Sequence, residues 1–191
     1  MKKGMFVSAL LVLMAAPALA AASPTVGISY TDLGLSGHAG RPGVSLNAGS
    51  LSNNGVIADG TASIARGYYQ MGMSIGKLIP TDGLSFEPYV SADFLNLNYH
   101  QAGQQSIQDF YGMAGVNLNV PLSRKVLFGL GGGYGHTVST YGDGSGGQVY
   151  AGDAIADFQI APHVTTDIQV AYQHVPTASM MTYSAGINYS F

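Results

Sequence analysis

M-M-T-Y-S-A-G-I-N-Y-S-F, residues 180–191, alternates without a break. Met181, Tyr183, Ala185, Ile187, Tyr189 and Phe191 share one parity, and Met180, Thr182, Ser184, Gly186, Asn188 and Ser190 share the other. Successive side chains of a strand point to opposite faces, so this pattern predicts a strand with one apolar and one small or polar face.

Upstream, the chain from Gly67 onward divides into seven such segments, the last being residues 180–191. Tyr69, Met71, Met73 and Ile75 share a face in the first, and Phe86, Pro88, Val90, Ala92 and Phe94 in the second. Phe110, Ala114, Val116, Leu118 and Val120 follow, then Val126, Phe128, Leu130 and Tyr134. Tyr150, Ala154, Ala156, Phe158 and Ile160 precede Thr166, Ile168, Val170 and Tyr172. Tight turns and longer polar loops separate the segments in alternation, as at the two ends of an up-and-down barrel. The predicted fold is all-β: a closed antiparallel transmembrane barrel.

Alternation alone also fits a soluble barrel with the opposite polarity; the charges decide between them. Glu87, Asp93, Asp153, Asp157 and Asp167 all take the polar parity, with Arg66, while the apolar parity carries only Lys77, beside a turn. A basic residue in mid-bilayer on the lipid face costs about 2–4 kcal/mol, so hydrocarbon would impose this sorting. Only 9% of the 191 residues are charged although 47% are apolar; a soluble domain carries roughly a quarter charged.

Residues 1–20 have the order of a secretory signal: basic Lys2-Lys3, an apolar run, then Ala18-Leu19-Ala20. The expected mature domain is 21–191. Losing Lys2 and Lys3 takes the formal net charge from −3 to −5, which leaves no basic patch for nucleic acid. The absence of cysteine excludes a thiol nucleophile, a disulfide framework and a thiolate metal site.

Both termini on the same side require an even number of spans. Residues 25–35 and 44–51 offer strand-like faces, but 56–65 is a weak stretch with no sustained apolar face. The reading therefore favours eight strands with a long first loop over ten with tight connections.

Taken together, export segment, short turns on one side, longer loops on the other and the terminal aromatic residue resemble the small outer-membrane barrels of the OmpA and OmpX type. More narrowly, Pro42-Gly43-Val44-Ser45-Leu46-Asn47, the stretch from Val126-Leu127-Phe128-Gly129 to Tyr134, and residues 150–174 resemble the YfaZ-like outer-membrane family. The resemblance implies a Gram-negative outer-membrane location, contact with lipid and lipopolysaccharide, and a monomer. It also implies that Tyr189 and Phe191 form the signal read by the barrel-assembly machinery.

Chemistry is sparse. Lipid A deacylases of similar length carry a His-x-Ser pair before the last strand, but here His174 is followed by Pro176 and Thr177, and the closing strand has no acid. His100 and Asp109 flank one loop and His136 and Asp143 the next, where a His/Asp cluster at the rim could hold a metal or serve acid/base chemistry; solvated loop polarity explains them as well and is the reading preferred, and His38 and His163 fall in turns. No HExxH, phosphate-binding glycine loop or Gly-x-Ser-x-Gly elbow is present. No metal, cofactor or catalytic residue is expected. The candidate site is a lumen network of Arg66, Glu87, Asp93, Asp153, Asp157 and Asp167, plugging the barrel by hydrogen bonds to Asn, Gln and Tyr. The expected role is structural or surface-interacting, with a narrow channel as the alternative and a lipid A-modifying or proteolytic barrel enzyme as the second.

Overall fold

The computed structural model describes residues 23–35, 40–98, 106–142, 144–176 and 178–191. The expected signal segment, residues 1–20, lies outside them. The strands are β1 (Ser23–Leu35), β2 (Arg41–Leu51), β3 (Val56–Ala65), β4 (Tyr68–Lys77), β5 (Ile79–Thr81), β6 (Leu84–Leu97), β7 (Ile107–Ser123), β8 (Val126–Gly142), β9 (Gln148–Ala161), β10 (Val164–Val175) and β11 (Ala178–Ser190). Short β5 continues β4 past Leu78 along the same partner, β6, so the eleven segments make ten staves. Each stave pairs antiparallel with the next, and β1 pairs with β11 from Thr25↔Ser190 to Leu35↔Met180. The sheet is thus a closed up-and-down barrel.

Parity explains the register. Val26, Ile28 and Tyr30 of β1 lie between Tyr189, Ile187 and Ala185 of β11 and Ala48, Leu46 and Val44 of β2, all outward. A slip by one residue would turn this row into the lumen.

The favoured count of eight strands is corrected to ten, because residues 41–51 and 56–65 form β2 and β3. The outward row of β3 is Val56, Ala58, Gly60, Ala62 and Ile64, apolar throughout but small at its centre. Apolar continuity on that face is kept by the lack of a polar group, which a search for bulky side chains passes over.

The end that holds both termini has tight turns at 52–55, 82–83, 124–125 and 162–163. Gly55 (φ 81°) and Gly83 (φ 82°) take the left-handed conformation that closes the first two. Gly55 also accepts a hydrogen bond from Leu78 N at 2.7 Å, tying the break between β4 and β5 to the neighbouring turn. The opposite, loop end is uneven. β3 and β4 meet there in a two-residue turn at Arg66-Gly67, whereas β7 and β8 run for 17 residues each.

Glycine sets the wall thickness along β8. A Cβ on Gly135 would sit on the carbonyl oxygen of Gly112 and 2.7 Å from Met113 Cα, both backbone atoms of β7. Gly132 faces outward, and its Cβ would meet only the Ala151 oxygen, at 3.8 Å. Gly135→Ala therefore loses about 1–3 kcal/mol in equilibrium urea unfolding of the detergent- or lipid-folded protein. Gly132→Ala stays within about 0.5 kcal/mol of the parent.

Candidate functional site

The lumen is built from the parity opposite to the apolar belt, and six of its carboxylates come from four staves. Asp59 (β3), Glu87 and Asp93 (β6), Asp153 and Asp157 (β9) and Asp167 (β10) all take inward register positions. Five of these were read from the sequence. Asp59 was missed because its stretch was not read as a span; reading the small residues of β3 as its lipid face would have found it.

Arg66 is the exception to the predicted set. It lies exposed in the turn between β3 and β4, where its carbonyl oxygen accepts a hydrogen bond from Arg41 Nη1 at 3.2 Å. A long cationic side chain in a two-residue turn reaches water without entering the barrel, so Arg66 is removed from the lumen network. Among the described residues, the other basic side chains, Arg41, Lys77, Arg124 and Lys125, also sit at strand ends or in a turn.

Amides and hydroxyls take the place of cations. Asn47 Nδ2 donates to Asn188 Oδ1 at 2.9 Å, and Asn188 Nδ2 donates to Asp167 Oδ1 at 2.8 Å. This relay runs from β2 over β1 to β11 and β10, and it crosses β1 at Gly27, where any side chain would collide with both asparagines. Gln169 Nε2 donates to Asp153 Oδ2 at 3.0 Å, and Ser91 Oγ to Asp93 Oδ2 at 2.9 Å. Asp59 lies over Gly49, Asp93 over Gly72 and Asp153 over Gly131, so bare Cα positions make room for polar groups lying flat against the wall. Tyr89 likewise lies across Gly115 and Gly133, its hydroxyl 2.5 and 2.7 Å from where their Cβ atoms would be.

Toward the loop end the inner face changes character. Leu33, Leu35, Tyr68, Leu95, Leu97, Ile107, Tyr111, Val149, Val175 and Met180 form one buried apolar cluster inside the barrel. Leu95, Leu97, Tyr111, Val149 and Val175 are 0% exposed. Tyr111 ties the layer together: its hydroxyl accepts from Gln70 Nε2 of β4 at 2.8 Å and from Gln173 Nε2 of β10 at 2.5 Å. Three separated staves are thereby joined through one side chain. The expectation of a polar filling omitted this layer, whose inward parity was read only for polar residues.

Asp109 sits at the level of this layer, paired with Leu95 and Thr140, is 0% exposed, and neither carboxylate oxygen has a hydrogen-bond partner among the described residues. His136, by contrast, faces outward and is exposed, so the two are not brought together. His38, His100, Asp143 and Thr177 lie outside the described residues. His163 occupies the turn before β10, its ring 6.0 Å from that of Tyr189. His174 also faces outward, stacked on Tyr150 with 4.5 Å between centroids. Its Nδ1 lies 2.9 Å from Ser179 Oγ on β11, which Tyr172 also approaches at 3.3 Å. The hydroxyl absent from position 176 is thus supplied across the hairpin, but no carboxylate hydrogen-bonds this pair among the described residues.

At the terminal end the lumen opens into a pocket of about 370 Å³ lined by Arg124, Lys125, Leu127, Asp157, Gln159 and Thr165. Tyr189 and Phe191 face outward here, 45% and 68% exposed, with rings edge to face at 5.0 Å. Phe191 N donates to the Pro24 carbonyl at 3.0 Å, which fixes the last residue to β1.

No protein family profile matches the sequence, and no curated protein matches it. Solved structures do. The NanC porin aligns with a TM-score of 0.54 at 10% identity, covering 86% of this chain and 98% of that one. The β domain of the Bordetella autotransporter BrkA gives 0.53 at 10% identity, covering 88% and 99%. The translocator domain of the autotransporter NalP from Neisseria meningitidis gives 0.52 at 12% identity, covering 97% and 98%. What this chain shares with them is the barrel fold.

Asp157 and Asp167 stand directly opposite each other on β9 and β10. Like charges so placed repel. Asp157→Asn therefore raises unfolding stability at neutral pH by about 0.2–1 kcal/mol. The gain disappears at a pH low enough to protonate both carboxyls; urea titrations at the two pH values measure it.

Proposed function

We propose that this chain is an integral outer-membrane barrel of the Gram-negative envelope, delivered by a signal segment at residues 1–20. It does not conduct, and it serves a structural or surface-interaction role. One observation supports the reading: Leu95, Leu97, Tyr111 and Val149 belong to a buried apolar cluster drawn from β1, β4, β6, β7, β9, β10 and β11 at the loop end. Ions would have to cross a packed hydrocarbon layer with no exposed surface of its own.

Membrane insertion is supported by the outer face. Val26, Ile28, Met73, Ile75, Val90, Val116, Leu130, Ile168 and Ile187 are all 42–58% exposed on the outside of the ring. Soluble monomers rarely leave such a continuous apolar surface in water. Aromatic residues bound it at two levels: Tyr30, Phe94, Phe110, Tyr150 and Tyr183 toward the loop end, and Phe86, Phe128, Phe158 and Tyr189 toward the termini. Eight residues separate Phe86 from Phe94 and Tyr150 from Phe158. In strands tilted by about 40° that is roughly 20 Å of height, near the ~25 Å apolar band of such barrels. Outer-membrane lipid and lipopolysaccharide are the partners this belt fits. The outward Tyr189-Phe191 pair suits recognition by the assembly machinery, and closure of the ring within one chain suits a monomer. The role is non-enzymatic, in keeping with a His174–Ser179 pair that no carboxylate orients.

A second reading, a cation-selective channel, draws on the lumen acids and on the shared fold with the NanC porin. Planar-bilayer recording separates the two. The wild type stays silent, and the double variant Leu95→Ala/Tyr111→Ala conducts with cation preference. Reproducible cation-selective steps from the wild type would overturn the closed reading.

Val90, midway between Phe86 and Phe94 and 54% exposed, tests the membrane itself. Val90→Arg costs about 2–4 kcal/mol when folding is measured in lipid vesicles. A neutral result would remove hydrocarbon from that face.

A further inference from the structure

Charges of both signs meet in one cavity, the pocket of about 370 Å³ where the lumen opens at the terminal end. Its inner wall carries Asp157, in register between Leu127 of β8 and Asp167 of β10. Asn188 donates to Asp167, but among the described residues no side chain donates to Asp157, so this carboxylate meets the pocket beside a second negative charge. The outer edge is basic. Arg124 and Lys125 form the turn between β7 and β8, and both line the cavity. That turn is held in place, since Lys125 N donates to Ser123 Oγ at 3.2 Å and the Lys125 carbonyl accepts from Gln159 N at 2.8 Å. Gln159 follows Asp157 by two positions on β9, so the basic edge stands roughly 7 Å nearer the mouth than the acid. Gln159 and Thr165, paired across β9 and β10, add neutral hydrogen-bonding groups to the same wall.

We propose that this pocket binds a small peptide zwitterion of about two residues, its ammonium against Asp157 and its carboxylate against Arg124 and Lys125. A two-residue chain spans at most about 7 Å from end to end, which matches the separation of acid and basic edge. The ammonium brings three donors to an acceptor-only carboxylate, and the guanidinium fork of Arg124 suits a planar carboxylate. A ligand of one sign fits less well. An anion entering the pocket meets Asp157 and Asp167, and a cation has to pass Arg124 and Lys125. Pro121 and Leu127 leave an apolar wall for short aliphatic side chains. Because the cavity is open to water its charges are screened, and the expected affinity is modest, on the order of 1 mM. The inference goes beyond the closed-barrel reading: the pocket lies at the opposite end of the bore from the apolar layer and does not depend on that layer sealing it.

The test titrates L-alanyl-L-alanine into the full mature chain, isotope-labelled and folded in detergent, and follows the backbone amide resonances. Amides of Leu127, Gln159 and Thr165 shift saturably, while those of Val149 and Val175 at the far end stay fixed. Acetylating the amine of the dipeptide, or converting its carboxylate to an amide, weakens binding by at least about tenfold, because each removes a charge-assisted contact. Asp157→Asn abolishes the preference over the acetylated peptide, and the double substitution Arg124→Gln/Lys125→Gln abolishes the preference over the amidated one. Should a variant fail to fold, the two capped peptides on wild type decide. Amides that never shift, shifts confined to other residues, capped peptides that bind as tightly as the parent, or preferences that survive both substitutions rule the site out. A conducting bore leaves this result untouched, so the two readings fail separately.

Discussion

Closure of the hydrogen-bonded ring is the constraint from which the rest of the structure follows. A bilayer offers no water to an unpaired peptide group, so a sheet can cross it only if its two edges are joined. Here β1 and β11 make that joint over eleven consecutive pairs, and the final residue is held to Pro24. Once the ring is shut every side chain faces either hydrocarbon or bore, and the two-residue period leaves no third choice. Sorting of charge, placement of glycine and the aromatic levels are all consequences of that division.

Inside, the difficulty is room. Ten staves enclose more space than eight, yet this bore is occupied by flat-lying polar groups below and an apolar layer above. Glycine makes the lower part feasible, since Gly27, Gly49, Gly72 and Gly131 each leave a hollow that a neighbouring carboxylate or amide fills. Amides and a hydroxyl, in place of cations, hydrogen-bond Asp93, Asp153 and Asp167. The upper layer obeys a different rule: there the barrel is packed like the centre of a soluble protein, and Tyr111 alone spends its polar atom on two opposing walls.

Most of this plan could be read in the chain before any coordinates. Staves from β4 onward, the outward parity and the lumen acids Glu87, Asp93, Asp153, Asp157 and Asp167 follow from alternation and from where charge is allowed. The count went astray at residues 56–65, because alanine and glycine can serve as a lipid face without raising any hydrophobic peak. The apolar layer escaped for a related reason. In β6 the apolar residues change sides after Phe94, so that Leu95 and Leu97 belong to the bore, and β10 does the same between His174 and Val175. A rule that equates apolar with lipid-facing is correct only within the bilayer, and nothing in the local sequence marks where that stops. The Ser179–His174 contact depends on a chain reversal that a single strand cannot reveal.

The uneven rim has a further consequence. With β7 and β8 standing tall and β3 turning back at Arg66-Gly67, the mouth has a parapet along one arc and a step along another. The low arc is marked by basic residues, with Arg41 at the start of β2 and Arg66 exposed in the turn. The Arg41 guanidinium donates to the Arg66 carbonyl, so positive charge is anchored at the step of the rim.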